Sequence, residues 1–219
     1  LGYRVVLSDP STKKTFHAGM ESMPSENACY PAKLSHGHIM DLLEKDVDFI
    51  WMPCIRWERQ EDKGANNHYN CPIVMSYSEA LKLNIDELKT SRTQFINPFI
   101  PYDDKNALKK RLYEHLVKNR KKDLQERGVD VSKMAFPTRM EIIEAVDLAW
   151  QTDLDFKSTM RAKGEETLRW LEENNKHGIV LAGSPYHIDS EINHALPELI
   201  CGFGMAVLTE DSVAHLGDL

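Results

Sequence analysis

The stretch from Pro31 to Pro53 most narrows what this chain can become. Leu34, His38 and Leu42 recur at a spacing of four, with Ile39 and Leu43 beside them, so a helix running to about Lys45 has one apolar face. Pro31 suits the first helical position. Phe49-Ile50-Trp51-Met52 then forms a continuous apolar run halted by Pro53, the pattern of a strand buried on both faces. Upstream, Arg4-Val5-Val6-Leu7 is a short β-branched run closed by the turn cluster Ser8-Asp9-Pro10-Ser11. Strand, helix and strand in that order predict a parallel βαβ unit and hence an α/β fold.

That geometry places cysteines. Cys29 falls in the loop entering the helix, and Cys54 just past the carboxyl end of the second strand. In an open α/β sheet both positions lie on the carboxyl edge, where ligands bind. Cys71 stands before Pro72, which opens either a helix or a short Ile73-Val74-Met75 strand. The helix is preferred, because a parallel strand starting there would put Cys71 on the opposite edge.

The remaining chain is helical in its middle and α/β again at its end. Phe95-Ile96 and Phe99-Ile100 make a short extended segment. Asp103 or Asp104 can cap a highly charged helix ending near Gly128. Thr138 with Glu141 forms a capping-box sequence before a helix carrying Ile142, Ile143, Val146 and Ala149-Trp150. A further helix, from about Phe156 to Asn174, sets Met160, Leu168 and Leu171 against a charged face that reads as solvated.

Gly178-Ile179-Val180-Leu181-Ala182 is a buried-strand run ending in Gly183-Ser184-Pro185-Tyr186-His187. A helical stretch through Ile192 and Leu199 to Phe203, notched at Pro197, leads to a strand over Met205 to Leu208. The expected division is a cysteine-bearing α/β region over 1–100, a helical connecting region over 101–176 and the start of a second α/β unit over 177–219. Because the first residue is Leu, the chain reads as a fragment of a longer polypeptide.

Composition limits the chemistry. A chain of 219 residues can bury a core without staples. Its net charge of −7 is spread along the helices with both signs mixed, which argues against a nucleic-acid groove or an anionic membrane surface as partner. No apolar run approaches the roughly 18 residues of a membrane span, and no leader opens the chain. The expectation is a soluble, cytoplasmic protein whose four cysteines serve metal binding or catalysis in place of a disulfide framework.

Cys29, Cys54 and Cys71 have 24 and 16 residues between them, unlike a compact zinc knuckle. Inert buried thiols are one reading; a shared metal is the other. Cys29, and Cys71 if Pro72 opens a helix, sit at helix N-termini, where free amide groups favour anions. Three thiolates without a fourth would leave one metal corner open to water or substrate.

Cys201, between Ile200 and Gly202, reads as core. His38 is in line with Leu34 and Leu42 and reads as a packed core histidine. His36 lies on the border of the apolar face, within reach of the Cys29 loop. Glu26, three residues before Cys29, is either a helix cap or a base. Ser184, Tyr186 and His187 are either substrate contacts or turn residues.

Four strings carry a resemblance: SENACYPAKLSHGHI from Ser25, MPC ending at Cys54, YNCP around Cys71, and GSPYHIDSEIN from Gly183. They resemble the cysteine-bearing part of the 2-hydroxyacyl-CoA dehydratase family. The branch found in large CoA-substrate-specific enzyme activase proteins is the nearest, and double-cubane-cluster reductases are related. The likeness is strong over 25–75 and 178–212 and weak between.

It implies Rossmann-like α/β units with a helical insertion, and a [4Fe–4S] or double-cubane cluster on Cys29, Cys54 and Cys71. A double cluster would be shared between two chains of a homodimer. In that family an ATP-hydrolysing activase supplies one low-potential electron, which passes to a substrate. In the dehydratases it makes a ketyl radical of an acyl-CoA thioester and permits loss of the hydroxyl group.

This stretch has no Gly-rich nucleotide loop, so the ATPase is expected in a partner domain or subunit. Glu26 and His36 become candidate acid–base residues, and Ser25, Ser184, Tyr186 and His187 candidate substrate contacts. Two other readings stand beside this one. They are a non-catalytic metal-binding or regulatory domain within a large CoA-enzyme activase protein, and a zinc-stabilised structural domain.

Overall fold

A computed structural model describes residues 1–217. Helices alternate with short parallel strands, an α/β architecture. The chain forms two compact units, Leu1–Asp147 and Leu148–Leu219.

In the first unit, α1 (Lys13–Gly19) and α2 (Tyr30–Glu44) cross backbone to backbone. A Cβ on Gly37 would overlap the Thr15 carbonyl oxygen, and one on Gly19 would overlap the Gly37 amide. Glycine is required there by proximity and not by a special φ. A tight turn with Asp46 at φ 51° leads to β1 (Phe49–Trp51) and β2 (Cys54–Ile55).

A long loop then reaches α3 (Pro72–Asn84) and α4 (Glu87–Thr90), which return the chain to β3 (Gln94–Ile96) and β4 (Phe99–Ile100). β1 pairs with β3 and β2 with β4, both parallel. The amides of Met52 and Cys54 still reach the Ile96 and Pro98 carbonyls at 3.0 and 2.8 Å, so the two pairs are one ladder. It is interrupted at Pro53 and Pro98, which have no amide hydrogen to donate.

Ile50, with Met52 and Phe95 partly buried, packs on Ile39 of α2, Leu81 and Ile85 of the α3 region, and Leu88 of α4. Burying each such side chain is worth about 1.5–3 kcal/mol. On the other side of β1, Phe49 meets Tyr3 edge-to-face, with ring centres 5.4 Å apart, and lies under the Arg120 guanidinium at 4.5 Å. The ladder is covered on both faces, as its continuous apolar run predicts.

The β-branched run Arg4–Leu7 is not a strand. The βαβ crossover instead runs from β1 through α3 and α4 to β3. A strand needs an open partner edge, and residues 1–11 are held otherwise: Val5 and Leu7 are exposed, and Lys45 Nζ bonds the Leu7 carbonyl at 3.0 Å and Asp9 at 2.7 Å.

Further on, Asp104 caps α5 (Lys105–Tyr113), accepting from the amides of Asn106 and Ala107. A π-helical segment, Glu114–Asn119, joins α5 to α6 (Arg120–Glu126). Thr138 and Glu141 exchange the two capping-box hydrogen bonds at the head of α7 (Arg139–Glu173). α7 is one continuous helix where the sequence suggested two, since nothing between Trp150 and Phe156 breaks a helix.

In the second unit, β5 (Gly178–Leu181) and β6 (Ala206–Thr209) pair in parallel, with α8 (Leu196–Gly202) between them and α9 (Glu210–Val213) after them. Leu171, Ile200 and Leu208 are buried. Gly164 lets the Ser212 carbonyl approach, since a Cβ there would overlap that oxygen. The expected helix from Ile192 is shortened to α8 because His194 and Ala195 both take left-handed φ, 53° and 59°, before Pro197. Cys201 is exposed on α8, not part of the core.

Candidate functional site

Three cysteines gather around the amino-terminal half of α3. Cys71 is the N-cap residue of that helix and Cys29 that of α2; each precedes a proline in the first turn, and neither uses its side chain as a cap. Their backbones sit extended, at φ −62° and −55°; for Cys71 this is the conformation that the proline directly after it enforces, whereas Tyr30 stands between Cys29 and Pro31.

Cys29 Sγ lies 4.0 Å from Tyr77 Oη, and Cys54 Sγ lies 2.7 Å from Ser78 Oγ. Both contacts are to adjacent residues of α3. Ser78 follows Cys71 by two turns of one helix face, about 10 Å along the axis.

Cys54 lies past the carboxyl end of β1, as expected, but the ladder does not stop there. Cys54 opens β2 inside the interrupted ladder and is 9% exposed, whereas Cys29 and Cys71 are exposed. Because α2 runs back into β1, and α3 starts from the loop after β2, the beginnings of both helices belong to the carboxyl side of the ladder. That is the edge where α/β proteins hold ligands.

The loop between Ile55 and Cys71 does more than connect. Trp57 bridges Tyr69 antiparallel, the Glu58 amide donates to the His68 carbonyl at 2.9 Å, and the Asn70 amide donates to the Arg56 carbonyl at 2.9 Å. Arg56 lies over both aromatic rings and donates from Nε to Tyr69 Oη at 3.0 Å. This excursion folds back on itself and delivers Cys71 beside the segment that carries Cys54, closing the 16-residue gap. Sequence reading missed it, although Trp57 and Tyr69 around a polar loop were the available signal.

The other predicted residues lie as follows. Ser25 and Glu26 are on the exposed segment before Cys29, where the Ser25 hydroxyl accepts from the Asn27 amide and the Glu26 carbonyl accepts from Lys33 Nζ. Glu26 does not cap α2.

The two histidines exchange their expected surroundings. His36 is 3% exposed under α1, whereas His38 is half-buried and bonds Ser11 at 3.0 Å. Ser22 Oγ donates to the Gly19 carbonyl, so it accepts from His36 Nδ1 at 2.8 Å. Burial lowers the His36 pKa and keeps the ring neutral.

Ser184, Tyr186 and His187 occupy the turn after β5 in the second unit, at the carboxyl end of that parallel pair. The Tyr186 and His187 rings are 4.7 Å apart.

The donor set suits an iron–sulfur group in kind, with three thiols bordering one helix half at the ligand-binding edge. Among the described residues, no three of His, Cys, Asp and Glu stand close enough to hold a single metal ion. A cubane, which takes one thiolate at each of separate corners, asks for wider spacing than one ion does.

Comparison with known proteins gives one family. The model described as CoA enzyme activase uncharacterised domain (DUF2229) matches residues 1–213. No curated protein and no solved structure matches the chain.

Proposed function

The chain belongs to the CoA enzyme activase uncharacterised domain family, and from that premise we propose that it is the iron–sulfur module of a 2-hydroxyacyl-CoA dehydratase-like or double-cubane reductase system. Its partner is an ATP-hydrolysing activase domain or subunit, and its substrate an acyl-CoA or another small molecule. The family supports a role in CoA enzyme activation. The finer reading is carried by one observation: Cys29, Cys54 and Cys71 all border the first turns of α3.

In this reading the parallel strand pairs belong to Rossmann-like units, and a [4Fe–4S] or double-cubane group supplies one-electron chemistry at low potential. The chain's own residues do the holding. Cys29 and Cys71 present thiols from two exposed helix starts, while Ser78 and Tyr77 position Cys54 and Cys29 from adjacent places on α3. Buried surroundings at Cys54 keep water from the inner side, which in thiolate-ligated clusters is one of the controls on potential. Among the described residues no helix is long and apolar enough to cross a membrane.

The test is anaerobic reconstitution with ferrous iron and sulfide, followed by iron and acid-labile sulfide analysis and visible spectroscopy. The expected result is a brown protein with matched iron and sulfide that loses most of both in Cys54→Ser. Uptake of neither element by the wild-type chain, or equal uptake by a variant with all three cysteines replaced by serine, overturns the reading.

A further inference from the structure

A cavity lies in the first unit, on the opposite side of the ladder from α3, and involves no cysteine. It has a volume of about 220 Å³ and is lined by β3, the segment just beyond its carboxyl end, the π-helical segment and α6. That is below the roughly 300–1,000 Å³ of sites for drug-sized ligands, so a small molecule or one end of a larger one fits it. π-Helical segments inside α-helices occur frequently at functional sites.

Two guanidinium groups, Arg120 and Arg127, and the His115 ring line this cavity against one carboxylate, Asp123. Arg120 is 6% exposed, and its Nε donates to Gln94 Oε1 at 3.1 Å. Its charge faces the rings of Phe49, Tyr3 and Phe136 and makes no ion pair among the described residues. Asp123, the carboxylate among the lining residues, is engaged by Arg127 at 2.9 Å and by Gln94 Nε2, and Glu114, beside His115, is paired with Arg111 at 3.0 Å.

His115 adds a second donor. The Asn119 amide nitrogen donates to His115 Nδ1 at 3.2 Å, which leaves the ring hydrogen on Nε2. That Nε2 is buried and has no hydrogen-bond partner among the described residues. Burial first, and Arg111 after it, lower the pKa of His115 against the opposing pull of Glu114, so the ring is a neutral donor at physiological pH.

A buried guanidinium without a counter-ion and a buried N–H without an acceptor are both costly unless something supplies negative charge or a lone pair. We propose that this cavity binds a small oxyanion, the carboxylate or phosphoryl end of a ligand. Arg120 supplies the charge and His115 Nε2–H the orienting hydrogen bond. Gln94 and Asp123 fix the position of Arg120 and Arg127 around it. The site is independent of the cysteine cluster and does not require it.

The test titrates the 219-residue chain at low ionic strength with inorganic phosphate in one arm and acetate in the other. Calorimetry gives the affinity, and nitrogen-edited NMR follows the His115 ring. Saturable one-to-one binding of at least one anion is expected, with a shift of the His115 Nε2 resonance. Affinity should fall at least tenfold in Arg120→Gln and in His115→Phe.

Arg92→Gln, which removes an exposed guanidinium paired with Asp46, should bind as the wild type does. A response to phosphate alone assigns a phosphoryl ligand, and to acetate alone a carboxylate. No saturable binding of either anion, or binding that leaves the His115 resonance unmoved, overturns the site. The resonance is read in the wild-type chain, so the outcome holds even if Arg120→Gln does not fold.

Discussion

Phe49–Trp51 and Gly178–Leu181 are both short apolar runs that pair in parallel with a later strand, yet they meet different surroundings. Ile50 is 3% exposed between α2, α3 and α4 on one side and the Tyr3–Phe49–Arg120 stack on the other. Ile179 and Val180 are 37% and 47% exposed. The two runs have the same pattern in sequence, so the difference comes from how many elements each unit lays against its strands. In the first unit the crossover itself consists of two helices, α3 and α4, and further helices stand before β1 and after β4. In the second unit one 3-10 turn, Pro185–Ile188, and the short α8 lie between the paired strands, and Leu171 and Gly178 make the close contact beneath β5.

The comparison can be broken most sharply at Leu81, which has no exposed surface and sits among Ile39, Ile50, Ile85 and Leu88. Leu81→Ala should cost about 3 kcal/mol of unfolding free energy, the transfer and cavity terms together. Urea unfolding reads it cleanly in a background carrying Trp150→Phe and Trp170→Phe. The fluorescence then comes from Trp51 and Trp57, both in the first unit. A loss under about 1 kcal/mol would mean that this core is much looser than its burial indicates.

A smaller effect should follow pH. His36 is held neutral by burial, below its ordinary value of 6.5, so the unfolded chain takes up a proton more readily than the folded one. Its contribution to stability is complete above about 6.5 and is lost as pH falls from there through the folded-state value. His115 shifts in the same direction for the same first cause, burial. Thermal midpoints of the first unit should therefore drop between about pH 7.5 and 5.5, with a shallower drop in His36→Gln. An unchanged slope in that variant would remove His36 from the account.

The smallest change should come at Val180. Val180→Ala removes two methyl groups from a half-exposed strand and should alter stability by no more than about 0.5 kcal/mol. Tryptophan fluorescence from Trp150 and Trp170, with Trp51 and Trp57 replaced by Phe, would follow it. A cost comparable to that of Leu81→Ala would show that β5 is covered in solution after all.

Local signals were legible wherever the chain solves its own problem. Pro31 and Pro72 open helices, Asp104 caps α5, Thr138 and Glu141 close a capping box, and the runs at Phe49 and Gly178 become strands. Of the site, the placement of Cys29 and Cys71 at helix starts was readable, because proline is favoured in the first turn of a helix, and Cys71, directly before Pro72, is also held extended.

That Cys54 opens a further strand was not readable. Its strand exists only because Pro98 and Phe99 return alongside it, a pairing across more than forty residues that no local pattern announces. The surroundings of His36 and His38 were exchanged for a similar reason. Both lie near one apolar face, and only the crossing of α1 over Gly37 decides which ring is covered.

By itself, the sequence determined the starts at Pro72, Lys105 and Arg139 and the strand runs at Phe49 and Gly178, which class of fold they make and which residues bring thiol chemistry, since these follow from neighbours a few positions apart. Tertiary structure alone decided that Cys54 and Cys71 border one helix, that Arg120 is buried without a counter-charge, and that β5 is left exposed where β1 is covered. Each of those depends on which segments far apart in the chain come to lie together, and side-chain periodicity contains no record of the partner.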